Sequence, residues 1–291
     1  FYDTYFLEGS IRRDVSTALP KANNTYYYPS VSASAVISNW SFLKGSALNF
    51  GKLRASYAVV GNDTDPNQLL NTYSPTTAFG TPTYLYNTTA KNPDLKPEMT
   101  KSLEVGANLQ FFKNRIGIDA GYFQSDTKDQ ILALPVSSAT GNSFKFQNVG
   151  NMRSKGFEVA LNIVPIKTTD FNWGIDLNWS NPRSKVTELA SGVENITIGS
   201  FQGGVTVNAS LNDDYGTIKG SDFIYDPNGN KIIGSNGKYL TTNTNTVIGN
   251  MQADWFGSVT NRVSYKDLSL SFQIDVRQGG EIFSLDQYYG Q

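Results

Sequence analysis

The 291-residue sequence is 39% hydrophobic and 13% aromatic but only 17% charged, and its formal charge is −1. So few charges cannot coat a water-soluble domain of this size in the usual way, and the scattered basic residues leave no nucleic-acid footprint. Cysteine and histidine are both absent, which excludes disulfides, thiol nucleophiles, Ser-His-Asp triads and the usual zinc ligand sets, and with no apolar run of about eighteen residues a transmembrane helix is excluded too.

The chain begins at Phe1 with strand-like patterning and no leader signature, so it is expected to be an internal piece of a longer protein. Val31, Ala33, Ala35 and Ile37 alternate with Ser30, Ser32 and Ser34, and Leu53, Ala55, Tyr57 and Val59 alternate with Arg54, Ser56 and Ala58. A long polar connection is expected near 61–97. Beyond it Leu103, Val105, Ala107, Leu109 and Phe111 oppose Ser102, Glu104, Gly106, Asn108 and Gln110, and Lys113-Asn114 predicts a tight turn. The pattern returns at Phe157, Val159, Leu161 and Ile163, and again at Trp173, Ile175, Leu177 and Trp179. A second long connection is expected near 188–251, rich in Gly, Asn and Thr. Leu268, Leu270, Phe272, Ile274 and Val276 then alternate with Ser269, Ser271, Gln273, Asp275 and Arg277, after a Lys266-Asp267 turn.

Period two places one oily and one wet face on each strand. Roughly ten strands of about nine to eleven residues are predicted, the length of a tilted membrane span. A soluble β-sandwich also alternates, but its strands are about five or six residues long. The wet face here carries Glu104, Asp119, Glu158, Asp176 and Arg277, which suits a wide aqueous lumen. The fold class expected is therefore all-β: an antiparallel transmembrane β-barrel with short periplasmic turns and long outer loops. Aromatic residues near strand ends, among them Tyr26, Tyr28, Phe111, Trp173, Trp179, Trp255, Phe256 and Tyr265, fit interfacial girdles or cross-strand packing.

Individual motifs read as structural. In N-P-D-L-K-P-E over 92–98, Pro93 and Pro97 block pairing and predict a rigid entry into the next strand, with Glu98 within reach of Lys96 or Lys101. Gly150 and Gly156 suit a hairpin or bulge. Asp226-Pro227-Asn228-Gly229-Asn230 spaces oxygens like the start of a calcium loop but lacks the closing glutamate, since Gly237 stands there, so a β-turn is expected. Asp213, Asp214, Asp222 and Asp226 leave a secreted carbohydrate-active enzyme open, because only spatial separation identifies a glycosidase pair.

Several of these words occur together in one order. F-L-E-G-S-I-R-R-D over 6–14, Y-Y-P-S-V-S-A-S over 27–34, K-L-R-A-S-Y-A-V-V-G-N-D over 52–63, N-P-D-L-K-P-E, N-V-G-N-M-R-S-K-G-F-E over 148–158, I-G-N over 248–250 and R-Q-G-G-E-I-F over 277–283 resemble consecutive barrel words of the SusC/RagA family of TonB-dependent transporters. The chain departs from the family at Val15, where a glycine is usual, and at Met251-Gln252, where a proline is usual.

The resemblance implies the C-terminal part of a plugged outer-membrane barrel of about 22 strands, with residues 1–291 in its wall and the plug and TonB-contacting segment outside this sequence. It further implies TonB-dependent import of a bulky nutrient such as an oligosaccharide or peptide, a SusD-like surface lipoprotein acting as a lid, and contacts with the TonB complex and outer-membrane lipid. The alternative is an accessory barrel that docks other envelope proteins without transport. No catalytic residue, metal or cofactor is expected. Solute contacts are expected from loop aromatics, which stack on sugars: Tyr73, Phe79, Tyr84, Tyr86, Phe201, Tyr215 and Tyr239.

Overall fold

A computed structural model describes residues 3–290 of the chain. Strands β1 (Tyr5–Val15), β2 (Thr25–Val36) and β3 (Leu48–Asn62) come first, followed by a long connection that holds the hairpin of β4 (Tyr73–Ala78) and β5 (Thr81–Tyr86) and the short β6 (Thr89–Ala90). Next are β7 (Glu98–Phe111), β8 (Ile116–Lys128), the short β9 (Ile131–Pro135) and β10 (Phe144–Asn148), and β11 (Asn151–Lys167). β12 (Phe171–Ser180) leads into β13 (Arg183–Glu188), and a second long connection holds β14 (Asn195–Ser200), β15 (Thr206–Ser210), β16 (Thr217–Gly220) and β17 (Thr246–Asn250). β18 (Trp255–Tyr265), β19 (Leu268–Gln278) and a short helix, α1 (Leu285–Tyr289), complete the chain.

One antiparallel sheet forms a wall in the order β1-β2-β3-β7-β8-β11-β12-β18-β19, with β13 also paired to β11. The register keeps like residues together. Leu103 pairs with Tyr57, Val105 with both Ala55 and Tyr122, and Ala107 with Leu53 and Ala120, so the oily faces are continuous. The wet face is equally continuous, since Asp119 stands beside Asn108 and Ala160, and Asn162 beside Asp176. Arg54 on β3 and Arg277 on β19 line the same cavity of about 580 Å³. Six strand steps would span about 29 Å in a flat sheet, so the wall curls with its polar face on the concave side.

The wall has almost no interior of its own. Apart from Val59, the buried apolar residues of the described chain, including Leu19, Leu95, Leu134, Val186, Val205 and Ile218, lie in or beside the connections at one end of the strands. Along the wall the oily side chains stay uncovered: Leu7, Leu268 and Leu270 are 78, 74 and 63% exposed. A surface of that kind is stable only in a solvent as apolar as itself.

The wall strands are longer than the patterning suggests, reaching 15 residues in β3 and 17 in β11. About nine to eleven residues cross the apolar layer, so the rest stand beyond it, and they do so where the long connections attach. The extra length needs bends. Pro165 falls in the irregularity between Ile163 and Ile166, and Asn181-Pro182 interrupts the strand formed by β12 and β13, as expected where a missing N–H breaks a ladder. Gly156 faces that interruption: a Cβ there would lie 2.9 Å from the Asn181 carbonyl oxygen and 3.0 Å from the Pro182 Cα.

At the other end the expected tight turns are present at 112–115 and 266–267, whereas the link between β2 and β3 is longer and holds two 3-10 turns. A third long connection, at 129–150, is an addition to the two expected from sequence. Its β10 pairs in parallel with β6 of the first connection and antiparallel with β9, knitting the two together.

Candidate functional site

The concave face carries a layer of charge and hydroxyl pairs. Hydroxyl pairs bridge adjacent strands at Ser10 and Ser30 (2.7 Å), Thr100 and Thr127 (2.9 Å), Ser102 and Ser125 (2.8 Å), and Ser154 and Ser184 (2.6 Å). Arg54 on β3 reaches across β7 to grip Asp119 on β8 with both terminal nitrogens, at 3.1 and 2.6 Å. Gly106 makes that reach geometrically open, because a Cβ at this position would sit 2.8 Å from the Arg54 Cζ. Asn108 donates to the same carboxylate at 2.9 Å.

A second such cluster joins β11, β12 and β18. Asp176 accepts from Asn162 at 2.5 Å and is paired with Arg262. Farther along, Asn178 donates to Ser258 at 3.2 Å, and Gln273 donates to Asp275 at 2.7 Å. Both partners in the Arg54–Asp119 pair are roughly 40% exposed, so the pair contributes about 0.2–1 kcal/mol at most. What these groups build is a wettable surface of alternating donors and acceptors. Phe123 and Phe256 are apolar exceptions on this face, set opposite Glu104 and Arg277, and the Arg277 guanidinium lies 5.9 Å from the Phe256 ring centre. Phe256 therefore faces the lumen instead of an interfacial girdle. Tyr26 and Tyr28 do the same: they pair with Asp14 and Arg12 and contact each other at 5.2 Å.

The words N-P-D-L-K-P-E and N-V-G-N meet in a clasp. The Asn148 side chain donates to the Lys96 carbonyl (2.7 Å) and the Asp129 carbonyl (2.9 Å) and accepts from the Lys96 N–H (2.8 Å). Leu95 beside it is fully buried, and Asn23 donates to the Leu95 carbonyl at 3.1 Å. Glu98 bonds neither Lys96 nor Lys101; it accepts from the Ile131 N–H at 2.8 Å and from Asn62 at 3.5 Å, since its strand position turns it toward the 129–150 connection. Gln252, where the family usually has a proline nearby, likewise ties two segments, accepting from the Ser184 N–H and donating to the Ser184 and Tyr215 carbonyls.

Of the seven expected solute-contacting aromatics, the structure pairs only two. Tyr73 and Tyr86 face each other across the β4–β5 hairpin, 5.5 Å between ring centres, with Tyr84 exposed alongside and Phe79 fully exposed at the tip. Phe201 lies 5.8 Å from Phe283, which in turn lies 6.0 Å from Tyr288. Tyr239 packs edge-on against Phe223 at 5.6 Å, and the Lys231 ammonium sits 3.7 Å from the centre of the Phe223 ring. Tyr215 is half-buried at the base of the connection, where its N–H bonds the Ser184 carbonyl. Phe223, Lys231, Phe283 and Tyr288 have no periodic context in the sequence that would single them out.

The turn over 226–230 is closed upon itself. One Asp226 carboxylate oxygen accepts from the Asn228 and Asn230 N–H groups, both at 2.8 Å, and the other accepts from the Asn230 side chain at 3.1 Å. The Asn230 backbone N–H, above all, and the Asn230 side chain hold this carboxyl below the usual carboxylate range. The carboxylate thus caps a turn, as the β-turn reading expected.

Comparison with known proteins places this geometry. The family described as TonB dependent receptor-like, beta-barrel matches residues 1–279. The TonB-dependent receptor P26 of Formosa agariphila is 29% identical over 98% of this chain, and the TonB-dependent receptor SusC of Bacteroides thetaiotaomicron is 27% identical over 93%. The chain spans 31% and 29% of the length of those two relatives. The RagAB peptide importer in its closed-closed state superposes with a TM-score of 0.78 at 20% identity, covering 95% of this chain and 32% of that one; the likeness is one of fold.

Proposed function

The chain belongs to the TonB-dependent receptor-like β-barrel family, a family of outer-membrane receptors and not of enzymes, and from that premise we propose that the whole protein imports a bulky nutrient, such as an oligosaccharide or a peptide, in a TonB-dependent manner. The observation that carries the reading is the concave polar wall. Its paired serines, amides and bidentate Arg54–Asp119 bridge offer many weak hydrogen-bonding positions, which suits the passage of a large hydrated solute. The long connections at 63–97, 129–150 and 189–254 then face the exterior. Tyr73, Tyr84, Tyr86 and the fully exposed Phe79 supply stacking surfaces there, either for the solute or for a SusD-like lipoprotein lid. The Phe201 and Tyr239 clusters are further candidates, and Tyr215 supports the base of its connection.

The test uses the full-length receptor in its own host. Uptake of fluorescent oligosaccharides and fluorescent peptides is measured with and without TonB, and the receptor is purified to identify a bound surface lipoprotein. Uptake of one solute class that vanishes in both the receptor-deletion and the TonB-deletion strains is the expected result. Uptake of every tested solute that is unchanged on receptor deletion, with other envelope proteins bound in place of a lipoprotein, overturns the import reading in favour of an accessory barrel.

A further inference from the structure

The oily face of the wall ends in cations where the long connections attach. Leu103 and Val105 on β7 and Phe157 and Val159 on β11 lie within the oily face. One or two alternate positions farther along the same face stand Lys101 on β7, Lys128 on β8, Lys155 on β11 and Lys185 on β13. Register ties them into one patch: Lys101 and Arg153 both pair with Asp126, Arg153 pairs with Lys185, and Lys155 pairs with Gln124. Neighbouring strands are about 4.8 Å apart and alternate residues about 6.6 Å, so the patch is about 15 Å across.

The carboxylate at the centre of the patch is already engaged, and at its β13 edge Asp254 is paired with Arg183 while Asp214 stands opposite Lys185 in the backbone register. Asp126 accepts from Arg153 Nε at 2.6 Å and from Gln124 Nε2 at 2.9 Å. Among the described residues, none of the four lysines has a carboxylate oxygen within 4.0 Å, and all four are exposed. Directly below, Tyr122 and Phe157 pair with ring centres 5.0 Å apart, and the Tyr122 hydroxyl reaches up to Gln124 at 3.4 Å. An aromatic pair with its polar tip beneath a cationic row marks the level of lipid headgroups. At the opposite end of these strands the same face carries Phe111, Ile116 and Ile163, with no cation among them.

Cations that only snorkel to water would not need to gather on adjacent strands, where their repulsion is unfavourable; a shared anion relieves it. We propose that this patch binds the phosphate-bearing headgroup of a lipid in the leaflet on the long-connection side, with its acyl chains lying along Leu103, Val105, Phe157 and Val159. The inference does not rest on import, since it concerns the bilayer face of the wall and not its lumen.

The test uses the full-length receptor, delipidated in mild detergent, and two probes: lipid A bearing its phosphates and the same lipid after enzymatic dephosphorylation. Dissociation constants are read by native mass spectrometry for wild type, for K101Q/K128Q/K155Q/K185Q and for the four corresponding Lys→Arg changes. The expected result is binding of the phosphorylated lipid weakened at least about tenfold by the glutamine variant and by less than about threefold by the arginine variant, with inorganic phosphate at millimolar concentration failing to displace the lipid. Equal binding of the dephosphorylated lipid to wild type overturns the proposal, as does undiminished binding by a folded glutamine variant. Full displacement by inorganic phosphate overturns it in favour of a free-anion site. Heat-modifiable gel mobility reports folding, and if the glutamine variant does not fold, the comparison of the two lipids on wild type decides.

Discussion

Replacing Gly156 with alanine in the full-length receptor, alongside the same change at Gly174, isolates what the interruption at Asn181-Pro182 requires of the opposite strand. Both glycines stand on the polar face within wall strands. They differ in surroundings: a Cβ at Gly156 meets backbone atoms at 2.9 and 3.0 Å and a Phe123 ring carbon at 3.1 Å, whereas a Cβ at Gly174 meets nothing within 4 Å. Any Gly→Ala change gains about 0.4–1 kcal/mol by restricting the unfolded chain. At Gly156 that gain is set against overpacking of about 1–3 kcal/mol, since two of the three contacts are backbone and cannot rotate away. The two variants should therefore differ by about 1–3 kcal/mol, roughly 5- to 150-fold in the folded-to-unfolded ratio, with G174A at or above wild type and G156A below it. Denaturant midpoints for unfolding of the full receptor in detergent micelles measure the difference. Equal midpoints, or a more stable G156A, would refute the steric reading of this position.

Asn148→Ala removes two donated bonds and one accepted one from the clasp, a loss of about 2–3 kcal/mol at roughly 1 kcal/mol each. Faster amide hydrogen exchange across residues 92–97 and 129–150, with the wall unchanged, is the expected readout, and unchanged exchange there would sink the idea. Asp119→Asn should lower overall stability by no more than about 1 kcal/mol, because the Arg54 pair is nearly half exposed; a fall of several kcal/mol in the same denaturant assay would contradict a water-filled concave face. Because the Asp226 carboxyl is held below its ordinary range, its contribution to the 226–230 turn is complete above the unfolded carboxylate value and disappears as pH falls through the lowered folded one. Exchange of the Asn228 and Asn230 amides should accelerate only in that acid window, and acceleration already near neutral pH would refute the capping role.

How much of this could be read from sequence follows from period two. Strict alternation in Leu103–Phe111 or Leu268–Val276 fixes a face without any knowledge of the partner strand, and the wall accordingly matches the expectation in type and order. Alternation fails where chemistry is exchanged across strands. Asn261 stands on the oily face because the Trp173 indole N–H donates to it at 3.3 Å, and Gln124 stands at the upper edge of that face because Asp126 and Tyr122 satisfy it. Tyr26, Tyr28 and Phe256 sit near strand ends, where either a girdle or cross-strand packing is expected, but parity sends them inward. The connections were the least legible part. Their order comes from long-range bonds such as Asn148 to Lys96, 52 residues apart, which leave no local pattern. Even so, the two words that meet there were both visible; what sequence could not give was that they are one structure. The same limit applies to the loop aromatics, of which pairing across a hairpin joins only Tyr73 and Tyr86.

The clasp also decides where foreign sequence can be spliced in. Between Asn148 and Gly150 any added residue would pull the amide away from the Lys96 and Asp129 carbonyls, so this stretch should tolerate no epitope tag. Gly80, at the tip of the β4–β5 hairpin, and Gly141, beside the exposed 138–140 turn, instead have nothing within 4 Å of a would-be side chain. Insertion at such tips disturbs little. A surface label placed after Gly141 would report from the 129–150 connection without loosening its anchor, and would give a direct optical view of which side of the membrane that connection occupies.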